Sequence, residues 1–176
     1  GDDTFNISDA SVTAFTLNGG EGTDTVVFAA SDDFSGVTTL SLTGIETLNV
    51  AASGVVLAGS QVTGKGYNIV GDAGTDTLAV NAAAGTGETI DLSGSSVALA
   101  AVTVTGLAGG DVITGSSTAG MTLAGGAGSD TVTGGAGADQ VNFIFHASDA
   151  DTITLGGGGD TVSSTTATAA TIEPIQ

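Results

Sequence analysis

Two copies of a nine-residue pattern stand back to back at residues 125–142, and they constrain the fold more than any other feature of this chain. Each copy has the form Gly-Gly-x-Gly-x-Asp-x-apolar-x. Residues 19–27 are a third clean copy, residues 71–79 a near copy with Asp72 for the second glycine, and residues 106–114 a looser one. Residues 3–5 and 157–162 keep the end of the pattern. The repeats predict short strands separated by glycine corners.

Within each copy the apolar residue follows the aspartate by two positions, so both side chains lie on the same side of an extended backbone. The apolar residues are expected to point inward from short strands, and they are Val26, Leu78, Ile113, Val132, Val141 and Val162. The glycines permit positive φ and a close approach of the backbone to an ion. The aspartate ends the corner and supplies an oxygen ligand.

The spacing of stacked coils suits a shared Ca²⁺ ion. Coils of a parallel solenoid lie about 4.7–4.9 Å apart, which is about the distance between two oxygens on opposite sides of Ca²⁺. Aspartates on adjacent coils can therefore share an ion, with glycine-loop carbonyls completing its shell. The candidate aspartates are Asp24, Asp76, Asp111, Asp130, Asp139 and Asp160, and Asp72 could add an oxygen. The candidate glycines are Gly19, Gly20, Gly22, Gly71, Gly74, Gly106, Gly109, Gly125, Gly126, Gly128, Gly134, Gly135 and Gly137.

These nonapeptides resemble the calcium-binding repeats of the RTX (repeat-in-toxin) family. The resemblance implies an all-β fold, a right-handed parallel β-roll or β-solenoid, with several Ca²⁺ ions. One family coil is two nonapeptides, so loops on one face recur every 18 residues. Here Asp111 and Asp130 are 19 residues apart, and Asp139 and Asp160 are 21 apart, so each pair is expected on adjacent coils. Asp130 and Asp139, nine residues apart, are expected on opposite faces.

Charge and composition exclude several classes of function. The chain has 176 residues and a formal net charge of −18, with Lys65 as its only basic residue apart from one histidine. Nucleic-acid binding depends on Lys and Arg at phosphates, so nucleic acid is not expected as a partner. No apolar run is long enough to span a membrane. Without Cys, and with one His and one Lys, the common nucleophile and base combinations are missing, so we expect no enzyme activity.

Segments between the nonapeptides predict further strands. Leu40–Val50 alternates apolar and polar residues on both sides of a glycine corner, and it resembles segments of bacterial RTX surface-layer (S-layer) proteins and large adhesins. Glu46 in this string is either a variant ligand or a solvent-facing side chain. The pairs Asp32–Asp33 and Asp149 and Asp151 lack the glycine context, which favours solvated loop carboxylates. His146 is expected to be packed or exposed on a strand.

We expect residues 1–176 to form a single RTX-type solenoid that is a fragment of a longer protein. Its best-formed repeats would be residues 106–162 and its degenerate coils residues 28–105, with residues 163–176 as a further coil or a linker. The resemblance implies an extracellular S-layer protein at the bacterial cell surface, self-associating in a lattice and exported by type I secretion. The alternatives are the RTX folding and secretion domain of a secreted protease, lipase or toxin, and an adhesin or biofilm matrix module.

Overall fold

Short strands separated by glycine-rich and serine-rich corners follow one another along the chain. The computed structural model describes residues 1–11, 13–72, 74–144 and 149–164. One helical turn, α1 (Gly59–Val62), lies between β6 and β7. In chain order the strands of the described residues are β1 (Thr4–Ile7), β2 (Ala14–Asn18), β3 (Thr25–Phe28), β4 (Thr39–Thr43), β5 (Thr47–Val50), β6 (Val55–Ala58), β7 (Asn68–Val70), β8 (Thr77–Asn81), β9 (Thr89–Asp91), β10 (Ser96–Ala98), β11 (Ala101–Thr105), β12 (Val112–Thr114), β13 (Thr122–Ala124), β14 (Thr131–Gly135), β15 (Gln140–Phe143), β16 (Thr152–Gly156) and β17 (Thr161–Ser164).

Each strand pairs in parallel with a strand of an adjacent coil. The first sheet has the order β1-β3-β5-β7-β10, the second β17-β15-β13-β11-β8-β6 and the third β16-β14-β12-β9, while β2 pairs with β4. The result is a β-solenoid of about seven turns with almost no helix. The predicted all-β, parallel solenoid is therefore confirmed.

The number of sides in a coil changes along the chain. From β7 to β12, successive strands visit the first, second and third sheets in turn, so these coils have three sides. From β13 to β17 they alternate between the second and third sheets only. At the edge of the first sheet, the Ser116 hydroxyl donates to the carbonyl of Ser95 at 2.8 Å, and the Thr118 hydroxyl accepts the N–H of Val97 at 2.9 Å. Beyond this edge the coils have two sides, as two nonapeptides per coil predict.

The core is a set of apolar rows that run along the solenoid axis. Of the six predicted inward positions, Val162 is partly buried, and the other five are at most 2% exposed: Val26, Leu78, Ile113, Val132 and Val141. The parallel register places similar apolar side chains next to one another on adjacent coils. One such row in the third sheet is Ile90, Ile113, Val132 and Ile153. Full burial of one such side chain contributes about 1.5–3 kcal/mol, so the rows hold successive coils together.

The segments outside the nonapeptides form strands where the alternation predicts them. Gly44, with φ of 60°, separates β4 from β5. The exception is α1, since the sequence has no sustained helical period. There the buried Gln61 amide donates from Nε2 to the carbonyls of Phe34 at 2.9 Å and Val37 at 3.2 Å. Gln61 thus satisfies carbonyls of the neighbouring coil's loop, which explains a helical turn at this place in the coil.

Two expectations fall on residues that the structure does not describe. His146, with its expected place on a strand, lies outside the described residues, and so do residues 165–176 of the expected single solenoid.

Candidate metal centres

The acidic residues of the corners line up in columns, each acid standing directly before a strand. The columns follow from the register, because strands that pair in parallel bring the residues before them together. The first-sheet column is Asp3, Asp24 and Glu46; the second-sheet column is Asp139 and Asp160; the third-sheet column is Glu88, Asp111, Asp130 and Asp151.

In every column a carboxylate oxygen accepts the backbone N–H of the corner residue one coil earlier. Asp130 Oδ1 accepts the N–H of Asp111 at 2.8 Å, and Asp151 Oδ1 accepts that of Asp130 at 2.9 Å. Asp160 Oδ1 does the same for Asp139 at 2.9 Å. The same bonds join Asp24 to the N–H of Asp3, Glu46 to that of Asp24, Asp111 to that of Glu88 and Asp139 to that of Met121, at 2.6–2.8 Å. These bonds form a ladder along each corner.

The second carboxylate oxygen of four corner aspartates is buried and has no hydrogen-bond partner within the part of the chain that the structure describes. These oxygens are Oδ2 of Asp24, Asp111, Asp130 and Asp139, in residues that are 0–2% exposed. A buried carboxylate without a partner is costly unless a cation or a proton neutralises it. Lys65, the single Lys or Arg of the chain, is exposed and cannot serve four buried corners.

The first glycine of each loop leaves room for these oxygens. A Cβ on Gly106 or on Gly134 would stand 2.6 Å from Oδ2 of Asp111 or Asp139, respectively. A backbone carbonyl oxygen of the next coil lies close to the same position. At Gly106 it is the oxygen of Gly125, and at Gly134 it is the oxygen of Leu155. A carboxylate oxygen and a carbonyl oxygen that both lie close to one point fit a hard cation such as Ca²⁺, which takes both kinds of ligand.

The loops hold a backbone conformation that favours glycine. Gly126 and Gly128 have φ of 103° and 129°. Leu107, which stacks on Gly126, keeps the left-handed region with φ of 71° although it has a branched side chain. Stacking imposes this conformation, since the N–H of Ala127 donates to the Leu107 carbonyl at 2.9 Å. The left-handed conformation costs a residue other than glycine about 1–2 kcal/mol.

Burial also changes the acidity of the corners. Desolvation raises the pKa of Asp111, Asp130 and Asp139 above the ordinary value of 3.8. Hydrogen bonds from backbone N–H groups oppose this shift, and the negative charges of neighbouring corner acids add to it. The corners are therefore poor sites for bare negative charge and good sites for a cation.

The structure brings together the pairs that the spacing predicts. Asp111 and Asp130 lie on adjacent coils, as do Asp139 and Asp160, whereas Asp130 and Asp139 precede strands of different sheets. Asp76 is 4% exposed, and the register places it between Ser53 and Ala100. Asp72 is exposed.

Sequence reasoning missed part of the columns. Glu88 was not expected there, and Asp151 was expected to be a solvated loop carboxylate, yet both belong to the third-sheet column. Asp149 also bonds inward, to the N–H of Gly128 at 3.3 Å. A different sequence signal marks these corners, namely an acid followed by threonine and then an apolar residue. The acids that begin such a triplet are Asp3, Asp24, Glu46, Asp76, Glu88, Asp130, Asp151 and Asp160.

The columns are linear, and their acids do not gather in a cluster. Across the described ranges, no three His, Cys, Asp or Glu side chains surround a common point in the manner of a metal site. An ion at these corners would therefore draw most of its ligands from backbone carbonyls. None of the helical segments that the structure describes is long and apolar enough to cross a membrane.

Comparison with known proteins agrees with this geometry. The model of the RTX calcium-binding nonapeptide repeat family (4 copies) matches residues 16–34 and 122–143, which include Asp24, Asp130 and Asp139. No curated protein and no solved structure matches the chain. The match supports the RTX family and calcium binding. A solenoid of such repeats is a structural calcium-binding fold and not a typical catalytic one, and proteins with these repeats are typically secreted by bacteria.

Proposed function

We propose that this chain is the structural, calcium-binding solenoid of an exported bacterial S-layer protein, which folds and assembles in a calcium-dependent way at the cell surface. The observation that carries the calcium part is the set of four buried corner carboxylates whose Oδ2 atoms have no partner among the described residues. The chain acts by binding ions and by assembling, without catalysing a reaction.

The proposed ligands differ in how well their surroundings suit an ion. Asp111, Asp130 and Asp139 each combine burial, an unpartnered Oδ2 and a stacked acid on the following coil. Asp24 has the same features, with Glu46 as its stacked acid. Asp160 is half-buried at the last described coil, so we expect a weaker site there. Asp76 is buried between Ser53 and Ala100, and we propose it as a further ligand.

Calcium binding should be coupled to folding. The unfolded chain cannot hold aspartates and carbonyls in register, so the ion binds the folded state alone. One site at a free concentration of 100 times its Kd then adds about 2.7 kcal/mol to the free energy of unfolding. Several sites together supply a large part of the stability of a domain, which is commonly about 5–15 kcal/mol.

Three features support the S-layer context. The nonapeptides are spaced among long strand segments rich in Thr, Ala and Val, the string Leu40–Val50 resembles segments of such proteins, and basic and aromatic residues are scarce. An acidic solenoid repels its copies until a divalent ion screens or bridges them. Export by type I secretion and lattice formation in calcium are parts of the same proposal.

Circular dichroism in calcium and in chelator tests the coupling. Excess chelator should remove much of the β signal, and millimolar Ca²⁺ should restore it, whereas monovalent salt at matched ionic strength should not. An unchanged spectrum and melting temperature in chelator would contradict calcium-coupled folding.

Electron microscopy of cells that carry the parent protein tests the assembly. We expect ordered layers in millimolar Ca²⁺ and soluble subunits in chelator. A parent protein that stays monomeric at high concentration with Ca²⁺, or that carries a hydrolase domain beside this segment, would favour the appendage of a secreted enzyme or toxin. Fibrous or matrix material without a lattice would favour the alternative of an adhesin or biofilm matrix module.

A further inference from the structure

Asn18 is the one asparagine of this chain that glycine follows. The other asparagines precede Ile, Val, Ala or Phe, and they are Asn6, Asn49, Asn68, Asn81 and Asn142. Glycine has no side chain to shield its backbone nitrogen or to restrict its backbone. In an Asn-Gly sequence that nitrogen can therefore attack the side-chain amide of the asparagine, which is the step that begins deamidation.

The reaction consumes one water molecule and needs no catalyst. The Gly19 nitrogen gives its proton to solvent and forms a bond to Cγ of Asn18. The Cγ–Nδ2 bond then breaks, and Nδ2 takes up a proton and leaves as ammonia. Water opens the resulting cyclic imide at one of its two carbonyl carbons. Opening at Cγ gives aspartate, and opening at the main-chain carbonyl carbon gives isoaspartate.

The fold holds Asn18 and Gly19 in a state that resists this reaction. Asn18 is exposed at the end of β2, in register with Thr43 of β4, but Gly19 is buried. The N–H of Gly19 donates to the Thr43 carbonyl at 3.0 Å, so the attacking nitrogen keeps its proton. A Cβ on Gly19 would collide with the Gly44 carbonyl and the Asp24 carboxylate, so Gly19 has little room to move toward Cγ.

We propose that Asn18 is a deamidation site that the folded chain protects, so that it is modified only while β2 and β4 are apart. These strands form a two-stranded sheet, and such a pair is marginal unless its surroundings support it. The extent of modification at Asn18 therefore records how long a molecule has spent with this coil open. The dependence on calcium rests on the proposed function, since calcium there stabilises the fold, whereas protection by the fold itself does not.

Peptide mass spectrometry of the purified chain, kept for days in warm neutral buffer, measures the modification. The three conditions are CaCl₂, chelator and guanidinium chloride, and the signal is the mass gained when an amide nitrogen is replaced by oxygen. Asn68 is the internal reference, because it is equally classed as exposed but precedes Ile69. The matched variant is Ser35→Asn, which places an asparagine before the exposed Gly36.

We expect Asn18 to convert at least about tenfold more slowly in CaCl₂ than in guanidinium chloride, because the coil must open first. In Ser35→Asn, the introduced asparagine should convert in CaCl₂ at nearly its rate in guanidinium chloride. Equal rates of Asn18 conversion in CaCl₂ and guanidinium chloride would overturn the proposal. Equally slow conversion at positions 18 and 35 in CaCl₂ would also overturn it, because the protection would then not come from the buried Gly19 N–H.

The chelator condition separates this inference from the proposed function. Conversion of Asn18 in chelator at the guanidinium rate, together with loss of the β circular dichroism, supports both. Slow conversion in chelator with an unchanged spectrum would support protection by the fold and contradict calcium-coupled folding. Slow conversion in chelator despite loss of the spectrum would contradict protection by the fold and leave calcium-coupled folding intact.

Discussion

At the scale of the residue, the corner aspartate performs two tasks with two oxygens. In Asp130, Oδ1 accepts the N–H of Asp111, and Oδ2 is buried beside Gly125 with no hydrogen-bond partner among residues 1–11, 13–72, 74–144 and 149–164. Asparagine could perform the first task but would bring no charge to the second. The side chain is also short enough to remain inside the corner, where exposure falls to 1%. These requirements explain why aspartate stands at this position of the nonapeptide.

The first glycine of the loop is as necessary as the aspartate. In Gly125→Ala, the new Cβ would stand about 2.8 Å from Asp130 Cγ and closer still to Oδ2, nearer than real Cβ atoms approach. The carboxylate must move, so we expect calcium affinity to fall by about tenfold or more and the free energy of unfolding in Ca²⁺ to fall by about 1–3 kcal/mol. Calorimetric titration and thermal unfolding measure both.

Gly36→Ala is the matched control for that change. A Cβ on Gly36 meets nothing within 4 Å, and Gly36 does not have a positive φ. Its calcium affinity should equal that of the natural chain. Equal affinity in Gly125→Ala and Gly36→Ala would show that the corner does not depend on the space at Gly125.

The residue pattern predicted the corners only where glycine accompanied the acid. Asp24, Asp111, Asp130 and Asp139 were identified from their loops, and the structure buries all four. Asp151 was not predicted as a corner acid because the loop before it lacks the glycine pattern. Its position in the column is set by the pairing of β14 with β16. Register is a property of two strands, so a single loop does not reveal it.

At the scale of the element, the columns of the second and third sheets bring buried negative charges close together. Burial raises the pKa of Asp111, Asp130 and Asp139 in the folded chain without metal. An acid whose pKa is raised on folding contributes stability below its unfolded pKa, about 3.9, and loses it as the pH rises through the folded value. Calcium has the opposite requirement, because it binds the ionised carboxylates.

We therefore expect opposite effects of acid in the two conditions. In chelator, lowering the pH from 7 toward 4 should raise the melting temperature, because the buried corners take up protons. In excess Ca²⁺, the same change should lower the stabilisation by calcium, so the two melting curves should converge. Thermal unfolding followed by circular dichroism across this range measures both trends.

Asp130→Asn serves as the control for the pH effect, since it removes one buried titrating corner and keeps the oxygen that accepts the N–H of Asp111. Its melting temperature in chelator should depend less on pH than that of the natural chain. A melting temperature in chelator that fell steadily from pH 7 to pH 5 in the natural chain would contradict the raised pKa values.

The strands were easier to predict than their arrangement. Alternation in Leu40–Val50 gave β4 and β5 on either side of Gly44, because a pleated strand with one buried face imposes a period of two. The helical turn α1 was not predicted. It is a single turn, fixed by long-range bonds of Gln61 to Phe34 and Val37. The three-sided coils were likewise not predicted, because their closure depends on which sheet each strand joins.

At the scale of the whole molecule, the two halves of the solenoid differ in what holds them. Most of the largest fully buried side chains lie before residue 106, including Phe28, Phe34, Leu48 and Leu57. The rings of Phe28 and Phe34 pack 5.0 Å apart. The part of the solenoid after residue 106 has fewer of these large side chains, and it has five of the nine column acids: Asp111, Asp130, Asp139, Asp151 and Asp160. The second half should therefore depend more strongly on calcium.

Hydrogen exchange measured by mass spectrometry tests this difference. On addition of chelator, we expect amide protection to fall first in β12–β17, while β3–β8 keep theirs longer, because local stability follows the contacts that each region retains. The same chain in Ca²⁺ is the reference. Simultaneous loss of protection along the whole chain would indicate one cooperative unit instead.

The ladder of corner bonds also gives the stack a direction. Seven corner carboxylates bond to the coil before them: Asp24, Glu46, Asp111, Asp130, Asp139, Asp151 and Asp160. A coil already in place thus presents a ready acceptor to its N-terminal neighbour, and only a bare N–H to the neighbour that follows. A substitution that removes the Asp130 carboxylate therefore leaves the amide of Asp111, one coil earlier in the chain, without its acceptor. The structural effect of a corner substitution thus extends toward the N-terminal end of the solenoid.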